Sequence, residues 1–350
     1  MKWKKMTALI LVAVFVISLA GCGKDDGANT LTVFNYGEYL DPDMIRLFTK
    51  ETGIKIKYEE AATPEEMYTK FKSGAIGYDL LCTSDYMLKR LISENELREI
   101  DYSLFQYKDN IGKKYWDFSK AFDPENKYTL PYFWGTVGIL YDTTKVEGTI
   151  DSWDVLFNGE YSGQIVMQNS VRDAFMITEK YLGYSLNTTD RDEIQKAYET
   201  LLKQKPDVQA YLVDEARDEV VAGNATMAVV YSGEAYLGHK YNSDLEYVVP
   251  KEGSNVWLDS WCITKNCKNT EAACKFLDFL CRDDVALKNF EFIFYSTPNE
   301  TVRENLPEED RNDKFMFPDD SVTENCEVCT LTDPETNELL NKLWKDLKAN

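Results

Sequence analysis

Residues 31–42 read Leu31-Thr32-Val33-Phe34-Asn35-Tyr36-Gly37-Glu38-Tyr39-Leu40-Asp41-Pro42. The apolar run at 31–34 predicts a first β-strand. Asp41 followed by Pro42 predicts the start of a helix, because Asp is a preferred N-cap and Pro fits the first helical position. The order then repeats: strands are predicted at 54–58 and 78–82, followed by helices at 64–72 and 86–92. Strands that alternate with helices predict a parallel sheet covered by helices on both faces.

This alternation stops near residue 100 and resumes near residue 152. Between them, residues 127–141 predict two strands that run through Pro131-Tyr132-Phe133-Trp134-Gly135. The second run predicts strands at 164–167, 225–231 and 245–249. Its predicted helices lie at 171–182, 214–222 and 337–347. Two more are predicted to begin at an N-cap, one at Thr189 and one at Thr270. Two separate runs of alternating elements indicate an α/β protein with two lobes.

The N-terminal residues predict export and attachment to a membrane by lipid. Lys2, Lys4 and Lys5 precede an apolar segment at 6–17, which is too short to cross a bilayer comfortably. Leu19-Ala20-Gly21-Cys22 then has the pattern of a bacterial lipobox, in which the thiol of Cys22 is acylated. The expected products are a signal peptide at 1–21 and a lipidated tether at 22–30.

Charge and cysteine usage narrow the possible ligands. The formal net charge is −21 at pH 7, which argues against nucleic acid or anionic lipid as the main ligand. Seven cysteines remain after Cys22, and the spacing Cys326-Glu327-Val328-Cys329 permits a local disulfide or two free thiols. The chain has a single histidine and one CxxC, so a structural metal site and a cofactor are not expected.

Acidic and aromatic residues occur together at predicted strand ends. Trp257 and Asp259 lie two positions apart, and Tyr36, Glu38 and Tyr39 follow the first strand. A carboxylate neutralises an ammonium and an aromatic face attracts it, so such pairs suit an organic cation. The ends of parallel strands meet at one edge of a sheet, where ligands usually bind.

At these residues the chain resembles the spermidine/putrescine-binding proteins of polyamine ABC importers, from about residue 31 to 299. The matching segments besides 34–39 and 257–260 are 78–80 with 84–86, 132–135, 182–185, 250–253 and 295–299. The resemblance implies a two-lobed periplasmic-binding-protein fold of type II, with two parallel-rich sheets, helices on both faces and a two-strand hinge. It places lobe 1 at 31–136 and 257–302, and lobe 2 at 137–256 and 303–350.

The resemblance also implies a ligand site. The predicted ligand-binding residues are Tyr36, Glu38, Tyr39, Ser84, Tyr86, Ser170, Asp173, Tyr231, Trp257, Asp259 and Tyr295. Ser170 stands where the family has an acid, which favours a shorter or less charged ligand, putrescine over spermidine. The implied partners are a polyamine, the permease subunits of an ABC transporter and, through Cys22, the membrane. The chain is expected to be monomeric and extracytoplasmic.

Other functions stay open from the residues alone. The chain lacks HExxH, a P-loop and a dinucleotide-binding glycine motif, so an enzyme is not expected. Paired carboxylates of a glycoside hydrolase are the remaining enzymatic possibility. A binding lipoprotein for a different cation, a sugar or a metal is a second alternative, and a purely structural lipoprotein is a third.

Overall fold

The structure is a computed structural model that describes residues 29–213, 215–330 and 333–349. The strands in chain order are β1 (Thr30–Tyr36), β2 (Lys55–Ala61), β3 (Leu80–Thr83), β4 (Leu97–Arg98), β5 (Thr129–Asp142), β6 (Ile165–Gln168), β7 (Val208–Leu212), β8 (Met227–Tyr231), β9 (Leu245–Val248) and β10 (Val256–Thr264). The predicted signal peptide and the acylated Cys22 lie outside the described residues.

The α-helices surround these strands. They are α1 (Pro42–Thr52), α2 (Pro64–Ser73), α3 (Asp85–Ser93), α4 (Lys113–Ser119), α5 (Val171–Tyr181), α6 (Arg191–Gln204), α7 (Glu215–Val221), α8 (Ser232–Tyr241), α9 (Thr270–Leu280), α10 (Asp283–Ile293), α11 (Glu300–Asn305), α12 (Glu308–Arg311), α13 (Asp320–Thr323) and α14 (Pro334–Ala349). Four 3₁₀ segments, Tyr102–Leu104, Lys108–Asn110, Trp153–Leu156 and Lys205–Asp207, connect them.

The strands form two parallel-rich groups that meet at β5. The order is β2-β1-β3-β10-β5-β8-β6-β7, with β4 beside β10 and β9 beside β5. β1 is parallel to β2 and β3, and β6 is parallel to β7 and β8. β10 runs antiparallel to both β3 and β5. Both groups are parallel-rich, as predicted, and a strand from late in the chain inserts antiparallel between β3 and β5.

β5 is one strand of 14 residues, whereas the sequence predicted two strands over this region. Its first half pairs with β10, and its second half pairs with β8 and β9, so the same strand belongs to both groups. Pro131 lies inside this strand, where it cannot donate a ladder hydrogen bond. The register of β5 on β10 shifts between Asp259 and Ser260, and Pro131 lies at that irregularity.

Local capping signals place most helices correctly. The Asp41 side chain accepts from Asp43 N–H, and α1 ends at Gly53 with a φ of 73°, as predicted. The Thr63 side chain caps α2 through Glu66 N–H at 3.1 Å. Two predicted caps were one residue off: Asp190 caps α6 and Asn269 caps α9. Asx side chains compete with neighbouring threonines for these positions. β7 had not been predicted, nor had the helices α4, α8 and α10 to α13.

Buried residues form two hydrophobic clusters, and the first extends from β1 and β3 to residues of β6 and β8 such as Val166 and Val230. The first surrounds Phe34, Leu80 and Trp261, and the second surrounds Trp153 and Phe175. Cys274 and Cys281 are buried in the first cluster. None of the seven described cysteines forms a disulfide with another, including Cys326 and Cys329. Within the described ranges, no helix combines the length and apolar character that crossing a bilayer requires.

Candidate ligand site at the strand ends

The end of β1 brings two tyrosines toward the middle of the sheet. Tyr36 is the last residue of β1, and its hydroxyl lies 3.1 Å from Thr83 Oγ1 at the end of β3. The chain then turns at Glu38, which has a φ of 53° and an exposed side chain. Tyr39 follows and is buried. The turn therefore directs two rings inward and leaves the predicted acid, Glu38, at the surface.

Five predicted aromatic residues form a continuous series of rings. Ring centroids are 5.6 Å apart for Tyr36 and Tyr39, and 6.3 Å apart for Tyr39 and Tyr295. Tyr295 lies 5.2 Å from Trp257, which lies 6.2 Å from Tyr231. The interplanar angles are 68–87°, the edge-to-face arrangement that the ring quadrupole favours. This series joins the end of β1 to the end of β8.

Asp259 lies beside this series on β10, two residues after Trp257. Burial raises the pKa of its carboxyl to about 7, and the Tyr39 phenol opposes this shift. The phenol is close to the carboxyl without meeting the geometry of a hydrogen bond. Asp259 in turn raises the pKa values of Tyr36 and Tyr39, after burial itself. A carboxyl whose charge is so poorly compensated attracts a cation strongly.

Asp173 and Tyr231 provide a second acid–aromatic pair. Ser170 is the N-cap of α5, and its hydroxyl accepts from Asp173 N–H at 3.2 Å. Tyr231, at the end of β8, donates its hydroxyl to Asp173 Oδ2 at 2.9 Å. Burial raises the pKa of Asp173, while the hydroxyls of Ser170 and Tyr231 lower it. The ring of Tyr231 also contacts Trp257, so this pair is joined to the ring series.

Ser84 and Tyr86 come from the turn between β3 and α3. Ser84 is at the N-cap position of α3, but its side chain makes no capping bond. Tyr86 donates its hydroxyl to Glu65 Oε1 at 2.8 Å. The guanidinium of Arg172 covers the Tyr86 ring at 3.7 Å from its centroid. A side chain of the protein thus already supplies a cation to one face of this predicted ligand ring.

Two glycines allow the rings to approach the backbone. A Cβ at Gly135 would lie 2.6 Å from the Trp257 ring and 2.6 Å from Ser232 Oγ. A Cβ at Gly233 would lie 2.3 Å from the Tyr295 ring. Neither glycine has a positive φ, so the reason for glycine here is space and not backbone conformation.

Several residues that form this site were not predicted. Asp85, Arg172, Thr83 and the two glycines each contact or face a predicted residue. Asp85 lies between Ser84 and Tyr86 in sequence, and Arg172 lies between Ser170 and Asp173. Their position after a parallel strand was the available signal, but their burial and orientation depend on the packed structure.

Comparison with known proteins places the chain among transport proteins. Residues 43–316 match the pattern of the family described as bacterial extracellular solute-binding protein. The spermidine/putrescine-binding periplasmic protein of Escherichia coli (strain K12) is 35% identical over 328 residues, 93% of each chain. A putrescine-binding periplasmic protein of Pseudomonas aeruginosa is 27% identical over 363 residues, 99% of each chain.

Solved structures agree with this placement. The spermidine/putrescine ABC transporter substrate-binding protein of Streptococcus pneumoniae aligns with a TM-score of 0.82 and 36% identity, over 92% of this chain and 99% of the other. A lipoprotein of Treponema pallidum aligns with a TM-score of 0.80 over 92% of this chain and 100% of the other; at 20% identity it shows the fold alone. The predicted two-lobed periplasmic-binding-protein fold is confirmed.

Proposed function

This chain belongs to the bacterial extracellular solute-binding protein family, and we propose that it captures a polyamine between its two lobes and delivers it to an ABC permease. The observation that carries the proposal is the Asp259 carboxyl, which is placed beside a series of edge-to-face aromatic rings with little compensation for its charge. The names of its relatives, which bind spermidine and putrescine, support this ligand class.

The chemistry of a polyamine fits these groups. One ammonium would bind at Asp259, and the rings of Trp257 and Tyr295 would cover its alkyl chain. A hydrogen bond to a charged group contributes roughly 1.5–3 kcal/mol, and a desolvated cation–π contact contributes about 2 kcal/mol. A second ammonium would bind near Asp173, which Tyr231 and Ser170 hold by hydrogen bonds. The ligand set from the sequence analysis remains our proposal for the residues that contact the polyamine.

Putrescine is the favoured polyamine in this proposal. Ser170 replaces an acid of the resembled family, and its hydroxyl is engaged in capping α5. Arg172, two residues after Ser170, places its guanidinium over the ring of Tyr86. A fixed cation and a missing acid both reduce the attraction for a third ammonium.

The two lobes would close around the ligand by rotating about the two strands that link them. β5 and β10 pair with each other through seven aligned residue pairs between Val256 and Cys262, and β5 continues into the second group of strands. We propose these two strands as the hinge, with the lobe boundaries given from the sequence. Domain closure about a few linking residues is a common way to enclose a ligand.

Location and assembly complete the proposal. The family is extracellular, and we propose that acylated Cys22, outside the described residues, holds the protein at the outer face of the membrane. Delivery to a permease requires the protein to release its ligand unchanged, so we propose a binding protein and not an enzyme. We further propose that it acts as a monomer.

The direct test is calorimetric titration of residues 23–350 with a panel of ligands. Putrescine and spermidine should bind, whereas 1,4-butanediol, which has the length of putrescine without its charges, should not. Binding of a sugar or an amino acid in the absence of polyamine binding would replace the proposed ligand class. Recovery of the polyamine unchanged after prolonged incubation would distinguish a binding protein from an enzyme.

A further inference from the structure

Asp85, the sequence neighbour of Ser84 and Tyr86, is a buried carboxyl that the resemblance did not assign. It is the first residue of α3 and is 2% exposed. Its Oδ1 accepts from Tyr86 N–H at 2.7 Å, whereas Oδ2 is buried and has no hydrogen-bond partner among the described residues. Burying a carboxylate oxygen without a hydrogen-bond donor costs free energy. The bond from Tyr86 N–H to Oδ1 therefore does not by itself account for a carboxylate at position 85.

The register of the sheet places Asp85 close to Asp259. β10 pairs with β3 so that Ser260 lies opposite Thr83, and Asp85 follows Thr83 by two residues, as the first residue of α3. Leu258 lies between Trp257 and Asp259. The backbone N–H of Leu258 is near enough to lower the pKa of Asp85, while Asp259 raises it. The two carboxyls therefore lie at the same end of the ligand site.

The nearby cation does not neutralise Asp85. Arg172 faces it from α5, but the guanidinium stacks on Tyr86 and donates through Nη1 to Cys329 Sγ at 3.0 Å. In the part of the chain that the structure describes, no ion pair joins Arg172 to Asp85. Burial outweighs the effects of Arg172 and the Tyr86 N–H, so the pKa of Asp85 rises to about 8.

We propose that Asp85 is a second carboxylate for the ligand ammonium that binds at Asp259. This inference rests on the proposed function. An ammonium has three donors, so it can donate to Asp259 and to Asp85 Oδ2 together. Trp257 Nε1, also buried without a partner among the described residues, lies on the same strand as Asp259.

The test is Asp85→Asn, which keeps the acceptor for Tyr86 N–H and removes the charge. Calorimetric titration with putrescine and with spermidine should show at least tenfold weaker binding of both. Titrations in two buffers with different ionisation enthalpies should show fewer protons released on binding than with wild type, because the free protein no longer holds a proton at this position. Asp85→Ser, with a smaller neutral side chain, repeats the test if the Asn variant does not fold.

Glu179→Gln is the matched control. Glu179 lies on α5 and is likewise buried, with 3% of its surface exposed. Burial raises its pKa to about 8, but the site described above does not include it. Its polyamine affinity should stay within twofold of wild type. If wild type binds polyamine and Asp85→Asn binds within twofold of it, Asp85 has only a structural role. If wild type binds no polyamine, the proposed function itself fails.

Discussion

The hydroxyl of Tyr231 donates a hydrogen bond to Asp173 Oδ2 at 2.9 Å. Tyr231 is the last residue of β8, and Asp173 lies in the first turn of α5, the helix that follows β6. The bond therefore connects the end of β8 to the start of α5. It lowers the pKa of an acid that burial raises. The same ring contacts Trp257, so this tyrosine links the second carboxylate to the ring series.

Tyr231→Phe should weaken polyamine binding about tenfold or more, because a hydrogen bond to a charged group is worth roughly 1.5 kcal/mol or more and tenfold in affinity corresponds to about 1.4 kcal/mol. The ring and its contact with Trp257 are kept, so thermal stability should change little. Titration calorimetry with putrescine measures the effect. Unchanged affinity would show that Asp173 does not need the Tyr231 hydroxyl in the bound state.

Asp259→Asn should weaken binding by two to three orders of magnitude. Leaving an ammonium buried without its carboxylate costs roughly 3–5 kcal/mol, and a micromolar site has only about 8 kcal/mol in total. The variant should remain folded and gain thermal stability, because it removes a carboxyl that burial disfavours. Binding of putrescine or spermidine within threefold of wild type would remove Asp259 from the proposed site.

Polyamine affinity should increase between pH 6 and pH 8. The pKa of Asp259 in the free protein is raised to about 7, so the carboxyl is mostly protonated at pH 6 and mostly ionised at pH 8. An ammonium binds the ionised form, which predicts roughly tenfold tighter binding at the higher pH. Primary amines keep their proton over this range, with a pKa near that of lysine, about 10.4.

The stability of the free protein should change in the opposite sense. A carboxyl with a pKa raised above its unfolded value, about 3.9, binds more protons when folded, so the free energy of unfolding decreases as pH rises from about 4 to about 7. Measurements of Kd and of the unfolding midpoint at several pH values separate the two effects. An affinity that stays flat from pH 6 to pH 8 would contradict an ionisable anchor.

Ser170→Asp should shift selectivity toward spermidine by restoring an acid at this end of the site. The helix should remain capped, since Asp accepts from the N–H of α5 as Ser does. The ratio of the spermidine and putrescine dissociation constants, measured by calorimetry, should move by about tenfold, the value of one charge-assisted contact. A wild-type protein that already prefers spermidine strongly would refute the proposed putrescine preference.

Cys22→Ser should release the protein from membranes while leaving its polyamine affinity in solution unchanged. The thiol of Cys22 is the proposed site of acylation, and serine keeps the size of the side chain without that chemistry. Fractionation of cells that express the variant measures the distribution. Continued attachment of the variant to the membrane fraction would contradict a lipid anchor at this residue.

The sequence alone predicted the elements whose signals are local. Asp41 with Pro42 and Gly53 defined α1 at both ends, because capping depends on a few neighbouring residues. Trp257 and Asp259 were identified as a pair because an aromatic ring and a carboxylate two positions apart suit an organic cation. The ends of β1, β3 and β8 could also be anticipated, since parallel strands in an α/β pattern deliver their carboxyl ends to one edge.

Only the tertiary structure decided how distant segments meet. β10 inserts antiparallel between β3 and β5, and this pairing over long sequence separation brings Asp259 close to Tyr39 and to Asp85. Whether an acid is exposed, as Glu38 is, or buried, as Asp85 is, depends on what packs over it. Arg172 likewise reaches Tyr86 only because α5 faces α3 in the folded chain. Burial and electrostatic coupling are properties of packed groups, and no local pattern of residues encodes them.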